Sequence, residues 1–374
     1  MPDDDPRRFP PLDQAPADAA RLYAIAQSSL GAVTAREADA CDAELASALD
    51  ALLRPGMGAA LAAVFAAAPS VAAYRHLWRN LARRERAGMP DAAQVVRLFA
   101  MPIVVVAGVE QSATQPCVLP AVLDDAPALA AILKQHRALG GNETLSLANV
   151  VVAAEALDLA QLPELLEWRN DGGGHALLPA PISVGDGTEG VHLRFIVGTA
   201  LAASTANLFR EEDVRGFGVP FAQTLSRALA VPGVSVLALP RSPLPLVEAV
   251  WQGRVAQREV AAQIFASNAI RRIRATTGEP SGVISVHASD GDERSGEVRL
   301  SLSSPFDPRG AEGFRCKLWP LDRVDDVVGM LATLLADCRV THVERKPGVH
   351  PDRDAATGLP LLFKPETAPG VALH

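Results

Sequence analysis

The feature that most constrains this chain is a change of hydrophobic period. From Ala17 to Ala87 apolar residues recur at helical spacing, whereas from Val191 onward they alternate in period two. One helical region and one sheet-forming region must therefore be accommodated. In the first, Thr34-Ala-Arg-Glu37 has the form of a capping box, and Ala38, Cys41, Leu45, Ala48 and Leu52 follow on one helical face until Pro55-Gly56. A further helix is predicted from Ser70 to Arg86, ending at Gly88. The twenty uncharged residues Pro55–Tyr74 are Ala-dominated and interrupted by Pro69, which predicts two packed helices rather than a membrane span.

"VVRLFAMPIVVVAGV" (95–109) is β-branched and apolar, a buried strand. Helices are expected at 123–139, 144–157 and 160–168. The Gly- and Pro-rich stretch 169–181 is then the expected domain boundary. Beyond it, "VHLRFIV", "GVSVLALP", "GVISVHAS", "EVRLSLS", "GFRCKLW" and "VTHVERKP" (340–347) have strand character. Between them fall a helix with Pro220 in its first turn, a long helical region over 244–275, and an amphipathic helix capped by Asp322. That last helix carries Val324, Val327, Val328, Leu331, Leu334, Leu335 and Cys338 as its apolar stripe, with Leu331 and Leu334 expected at the covered centre.

The fold class is thus α+β: a helical N-terminal region followed by an α+β region, laid out like two ferredoxin-like half-repeats. The expected domains are a disordered tail (1–16), a mainly helical region (17–170) with its one buried strand near 95–109, an α+β domain (176–347) and an irregular tail (348–374).

Gly185-Asp-Gly187-Thr-Glu-Gly190 satisfies the dinucleotide fingerprint letter for letter. That fingerprint works only where a helix N-terminus follows and receives the pyrophosphate. Here a strand follows, and Asp186 and Glu189 would repel phosphate, so a hairpin turn is expected. Gly140-Gly141-Asn142 is explained by one helix ending and the next being capped. The chain has no Walker, nucleophile-elbow or H-E-x-x-H motif. In 341–354, His342, Glu344, His350, Asp352 and Asp354 include metal-ligand types, but Arg345, Lys346 and Arg353 oppose a cation. Neither a metal nor any other cofactor is expected, and no catalytic residue is assigned.

A net charge of −8 disfavours general nucleic-acid binding. One local exception is Arg75, Arg79, Arg83 and Arg86 on one helix face beside Tyr74 and Trp78, a candidate stripe for an anionic partner. The four cysteines stand far apart, as suits reduced thiols in a cytoplasm. The first sixteen residues lack the apolar core of a signal peptide. The 31 Arg against 4 Lys, with abundant Ala, point to a GC-rich bacterial genome.

Trp319-Pro320-Leu321, the acidic helix after it, and "PGVHPDRDAATGLPLLFKPETAPGVALH" resemble the C-terminus of an uncharacterised family of betaproteobacterial proteins. The resemblance covers about the last seventy residues and implies N-terminal helices before an α+β half. It carries no activity over. That family's tail has a close cysteine pair, which "DRDAATGLPLL" lacks, so the thiolate metal site it implies is missing here.

Three functional readings compete. The first is a soluble cytoplasmic protein without catalytic activity, acting through contacts with an unknown protein partner or with copies of itself, away from membranes. The second is an enzyme or small-molecule sensor gathering His192, His287 and Cys316 into one pocket. The third is an RNA-associated factor using the Arg75–Arg86 stripe.

Overall fold

A computed structural model describes residues 17–68, 70–87, 94–107, 123–136, 144–171, 190–203, 214–230, 234–238, 243–276, 278–289, 292–304 and 307–350. The two expected tails (as far as 16 and from 351), Gly140-Gly141-Asn142 and the motif loop up to Glu189 lie outside them. Helices come first and α+β structure follows. The chain divides into two compact units between Gln257 and Arg258.

The first unit opens with α1 (Ala17–Leu30), α2 (Ala35–Leu52), α3 (Gly58–Ala66) and α4 (Val71–Ala87). The capping box forms as the sequence predicts. Glu37 N–H donates to Thr34 Oγ1, and Thr34 N–H donates to Glu37 Oε2, both at 3.2 Å. The uncharged stretch is shared between α3 and α4, and among the described residues no helix is long and apolar enough to cross a membrane.

Next come β1 (Gln94–Ala107), α5 (Ala126–Gln135), β2 (Thr144–Ala153), α6 (Leu162–Asp171), β3 (Val191–Ala203), α7 (Val214–Ala228) and β4 (Val234–Ala238). The sheet order is β2-β3-β1-β4 with every neighbouring pair antiparallel, the strand order of a ferredoxin-like βαββαβ arrangement with α6 added between β2 and β3. On one face, Phe99, Met101, Ile103 and Ile196 pack with Leu129 and Leu133 of α5 and Phe217 and Phe221 of α7. On the other lies α8 (Leu246–Thr276), where a Cβ at Gly253 would stand 2.9 Å from Leu193 and 3.0 Å from Phe195. A side chain there would push those two residues aside.

Three sequence expectations are corrected in this unit. The boundary at 169–181 does not divide the chain, because β1 pairs with β3 across it, from Gln94↔Ala203 to Val106↔Val191. The helices are also tied to later segments: Gly56 N–H donates to Glu164 Oε1 at 3.0 Å, and the buried Glu85 carboxylate accepts from Leu246 N–H and, at 3.1 Å, from Val247 N–H. Segment 144–157 is no helix but β2 and a 3-10 turn, Ala154–Leu157. The Val150-Val-Val run and the Thr-Leu-Ser-Leu alternation favour the extended chain. Pro220 lies inside α7, not in its first turn. Burial of both Phe217 and Phe221, rings edge to face at 6.4 Å, extends the helix before the proline.

The second unit holds the rest of α8, then β5 (Ser281–Ser289), β6 (Asp292–Ser304), β7 (Asp307–Lys317), α9 (Val324–Asp337) and β8 (His342–His350). Its sheet runs β7-β6-β5-β8, with β8 parallel to β5 after the α9 crossover. The two sheets therefore differ in order and in strand direction, and the expected half-repeats are not copies of one another. Ile284, Val298, Leu300, Leu302, Phe314 and Cys316 form the apolar face. Val327, Leu331 and Leu335 of α9 are buried, and Leu335 would stand 2.9 Å from a Cβ at Gly282.

Two details of α9 depart from expectation. Leu334 is only half-buried, because the core line 327/331/335 already fills the contact. Asp322 does not cap the helix; Arg323 holds that position. The Asp322 carboxylate instead accepts two bonds from the Arg258 guanidinium, at 2.7 and 2.8 Å, and one from Trp319 N–H at 2.7 Å.

Candidate functional site

A groove of about 500 Å³ runs between α8 and α9 in the second unit. Glu259, Gln263 and Ser267 line it from α8 at four-residue spacing, and Met330, Thr333, Leu334, Asp337 and Cys338 from α9. The spacing puts each set on one face of its helix. Two arginines bracket the groove along α8. Arg258 is forked onto Asp322, and Arg274 donates to the carbonyls of Cys338 and Arg339 at 3.2 and 3.3 Å. Between them Phe265 stacks on Phe314 with ring centroids 5.4 Å apart.

Each anchor has a local cause. Burial works against the Arg258 charge, but hydrogen bonds and the charge of Asp322 outweigh it and hold the guanidinium above its ordinary range. At the far end Arg339 takes a left-handed conformation (φ 57°), and Val340 N–H returns to Leu335 O at 2.9 Å, which closes α9. The floor contributed by Met330 and Leu334 is apolar, and Glu259 and Asp337 put a carboxylate on each wall.

The pocket candidates from the sequence fall in both units. His192 lies on β3 in the first unit, where burial, with the neighbouring Arg194 charge, holds its imidazole below the ordinary value. His287 and Cys316 share the second sheet but point to opposite faces. Cys316 stands in the Val286–Val298 row, and His287 in the next. His287 is 3% exposed, and its Nε2 lies 2.7 Å from Ser285 Oγ. Facing it from the parallel strand is His350, with ring centroids 5.9 Å apart.

His342 and His350 occupy opposite ends of β8, facing Ser281 and His287 of β5, about 20 Å apart along the sheet. Asp352 and Asp354 lie outside the described residues, among which no group of three or more His, Cys, Asp or Glu is placed to hold a metal ion. On α4, Arg79 and Arg83 are exposed and Arg75 half-buried, with Arg83 3.5 Å from Asp42. Arg86 lies outside the described side chains. The rings of Tyr74 and Trp78 stack at 6.3 Å and meet Phe65 edge-on, so they serve helix packing beside the stripe. Where the glycine motif ends, Gly190 leads directly into β3, a strand as expected.

The groove itself escaped the sequence. Its only signal was the α9 stripe, which is wider than one line of contact needs, so that Leu334 and Cys338 are left over for a second surface. No family model, curated protein or solved structure matches this chain.

Proposed function

We propose that this protein works by holding a partner polypeptide, and that the partner sits in the groove between α8 and α9. The observation that carries this reading is the pairing of an apolar floor, Met330 and Leu334, with carboxylates on both walls, Glu259 and Asp337. Such a surface suits a basic segment that presents one or two apolar side chains at helical spacing. Charge complementarity would guide its approach, and burial of its apolar side chains would supply most of the affinity.

The test uses the full chain and a fluorescent helical peptide with Lys and Leu at i, i+4 spacing. Saturable binding is expected, weakened about tenfold or more when Glu259 and Asp337 are both changed to Arg, which corresponds to roughly 1.4 kcal/mol. Capture from native cells should then retain a polypeptide on the wild-type chain that the double variant loses. Equal peptide binding by both proteins, or an identical captured set, sinks the reading.

A further inference from the structure

The loop between α1 and α2 holds an apolar side chain with no local task. Thr34 caps α2, so Val33 stands just before the cap and Ala38 is the fourth residue of the helix. An apolar residue before the cap ordinarily packs on one at that fourth position and so fixes the angle at which the chain enters. Ala38 offers only a methyl group, and Val33 is left 92% exposed. Leu30, three residues earlier at the end of α1, is 47% exposed. The other exposed large apolar side chains among the described residues, Val219, Leu237, Val324 and Val349, stand singly along the chain.

The loop is nonetheless held firmly. Val33 N–H and Thr34 N–H both donate to Glu37 Oε2 at 3.2 Å, Glu37 N–H donates back to Thr34 Oγ1, and Gly31 N–H donates to Gln27 O at 2.9 Å. Leu30 and Val33 therefore form a knob that is already shaped, and its docking costs little ordering. Arg36, exposed in the first turn of α2, makes no ion pair among the described residues. Glu37 is occupied by the loop backbone, whereas Asp39, three residues beyond Arg36, tempers its charge. In the groove, neither Glu259 nor Asp337 is in an ion pair among the described residues. The nearby arginines of α8 are engaged: Arg258 with Asp322, Arg271 with the Asn268 amide, and Arg274 at 3.7 Å from Glu279.

We infer that the knob of one copy docks in the groove of a second copy, which rests on the reading that the groove holds a polypeptide. Val33 and Leu30 meet the floor of Met330 and Leu334, and Arg36 meets the wall carboxylates. The groove's volume of about 500 Å³ falls within the roughly 300–1,000 Å³ of sites that enclose a small group, which suits two aliphatic side chains. A contact of one loop with one groove belongs to the weak class, under about 1,200 Å², so the copies exchange and form no permanent dimer. Burial of the apolar pair drives the contact, since Asp39 stands near Arg36 and a net charge of −8 on each copy opposes approach. Knob and groove are different surfaces, so the contact is heterologous: each docked pair still presents one free knob and one free groove.

Sedimentation velocity of the full chain, from about 10 μM to about 1 mM, provides the test. A sedimentation coefficient that rises with concentration is expected. Val33→Asp, and separately the double variant Glu259→Arg with Asp337→Arg, should each abolish the rise, and Arg36→Ala should weaken association about threefold. Mixed together, the first two variants should associate again, but only as far as a dimer, because one keeps its groove and the other its knob. The Lys and Leu peptide separates this contact from the groove reading beneath it. It should bind Val33→Asp as tightly as the wild type, and it should break up wild-type assemblies. A wild type that stays monomeric yet binds the peptide overturns the inference and leaves the groove reading standing; one that neither self-associates nor binds overturns both. Self-association that survives Val33→Asp, or variants that fail to pair when mixed, overturns the inference as well.

Discussion

The two sheets meet their surroundings in opposite ways. Strand β1 at the middle of the first sheet is buried without a break from Arg97 to Val105, because α5 and α7 cover one face and α8 lies against the other. In β5 and β6 of the second sheet, buried Ile284, Leu300 and Leu302 alternate with half-buried Val283, Ser285, Ser301 and Ser303. A continuous apolar run marks a strand covered on both sides, and an alternating one marks a strand covered on one. The second sheet therefore has a face that is half-open at Val283 and Ser301 but closed at His287 and Arg299, whereas β1 of the first sheet is covered along its whole middle.

The largest effects should come from breaking that contrast directly. Phe195 and Ile196 are consecutive in β3, point to opposite faces and are both 0% exposed. Phe195→Ala should cost on the order of 3–5 kcal/mol and Ile196→Ala about 2–5, since each leaves a cavity in a packed layer. In β6 the consecutive pair is Leu300 and Ser301, of which only Leu300 is fully buried. Leu300→Ala should cost about 2–5 kcal/mol, and Ser301→Ala should stay within about 0.5 kcal/mol. Urea denaturation of the four variants decides it. A costly Ser301→Ala would mean that the polar face is packed like the first sheet.

The same contrast explains what was legible beforehand. β1 could be recognised because nine buried positions in succession leave a run that no amphipathic helix shares. β2 could not. It is an edge strand whose register shifts between Leu147 and Val151, and that shift breaks the period of two and imitates helical spacing. The α9 helix was evident from its stripe, but not which of Leu331 and Leu334 would be covered, because that depends on where α8 runs beside it. His287 and His350 each stood out as single residues. Their pairing follows from a parallel crossover with most of two strands and a helix between them, and no local pattern records it.

A smaller effect sharpens the comparison through two buried carboxylates, one in each unit, that both serve α8. Glu85 accepts backbone N–H groups at the start of the helix, whereas Asp322 neutralises a guanidinium on it. Asp322→Asn leaves the Arg258 charge buried and unbalanced, which should cost on the order of 3 kcal/mol. Glu85→Gln keeps an acceptor for the N–H groups and loses only charge near the helix N-terminus, about 1 kcal/mol. Thermal melts of both variants measure the gap. Equal losses would show that the charge on Asp322 matters no more than the charge on Glu85.

The smallest effect separates the units by pH. In the first unit the His76 imidazole is held below its ordinary value of 6.5, by burial first and by Arg79 and Arg83 after it, against the opposing pull of Asp42. The geometry shows why the pull is incomplete. Asp42 lies 3.1 Å from His76 Nε2, yet it also accepts from Ser29 Oγ at 2.7 Å and faces Arg83 at 3.5 Å, so its charge is divided. His192 in the same unit is lowered as well, by burial first and then by Arg194. A group with a depressed imidazole pKa binds its proton more readily unfolded than folded. Stability therefore rises with pH through this window and is lost as pH falls below 6.5 toward the folded value. His76→Gln keeps a donor for Asp42 and cannot take up the proton. Compared at about pH 7.5 and about pH 5.5, the variant should lose less stability on acidification than the wild type, with the His192→Asn variant changing in the same direction. An unchanged acid slope in both variants would mean that the first unit's acid sensitivity comes from its carboxylates and not from buried imidazoles.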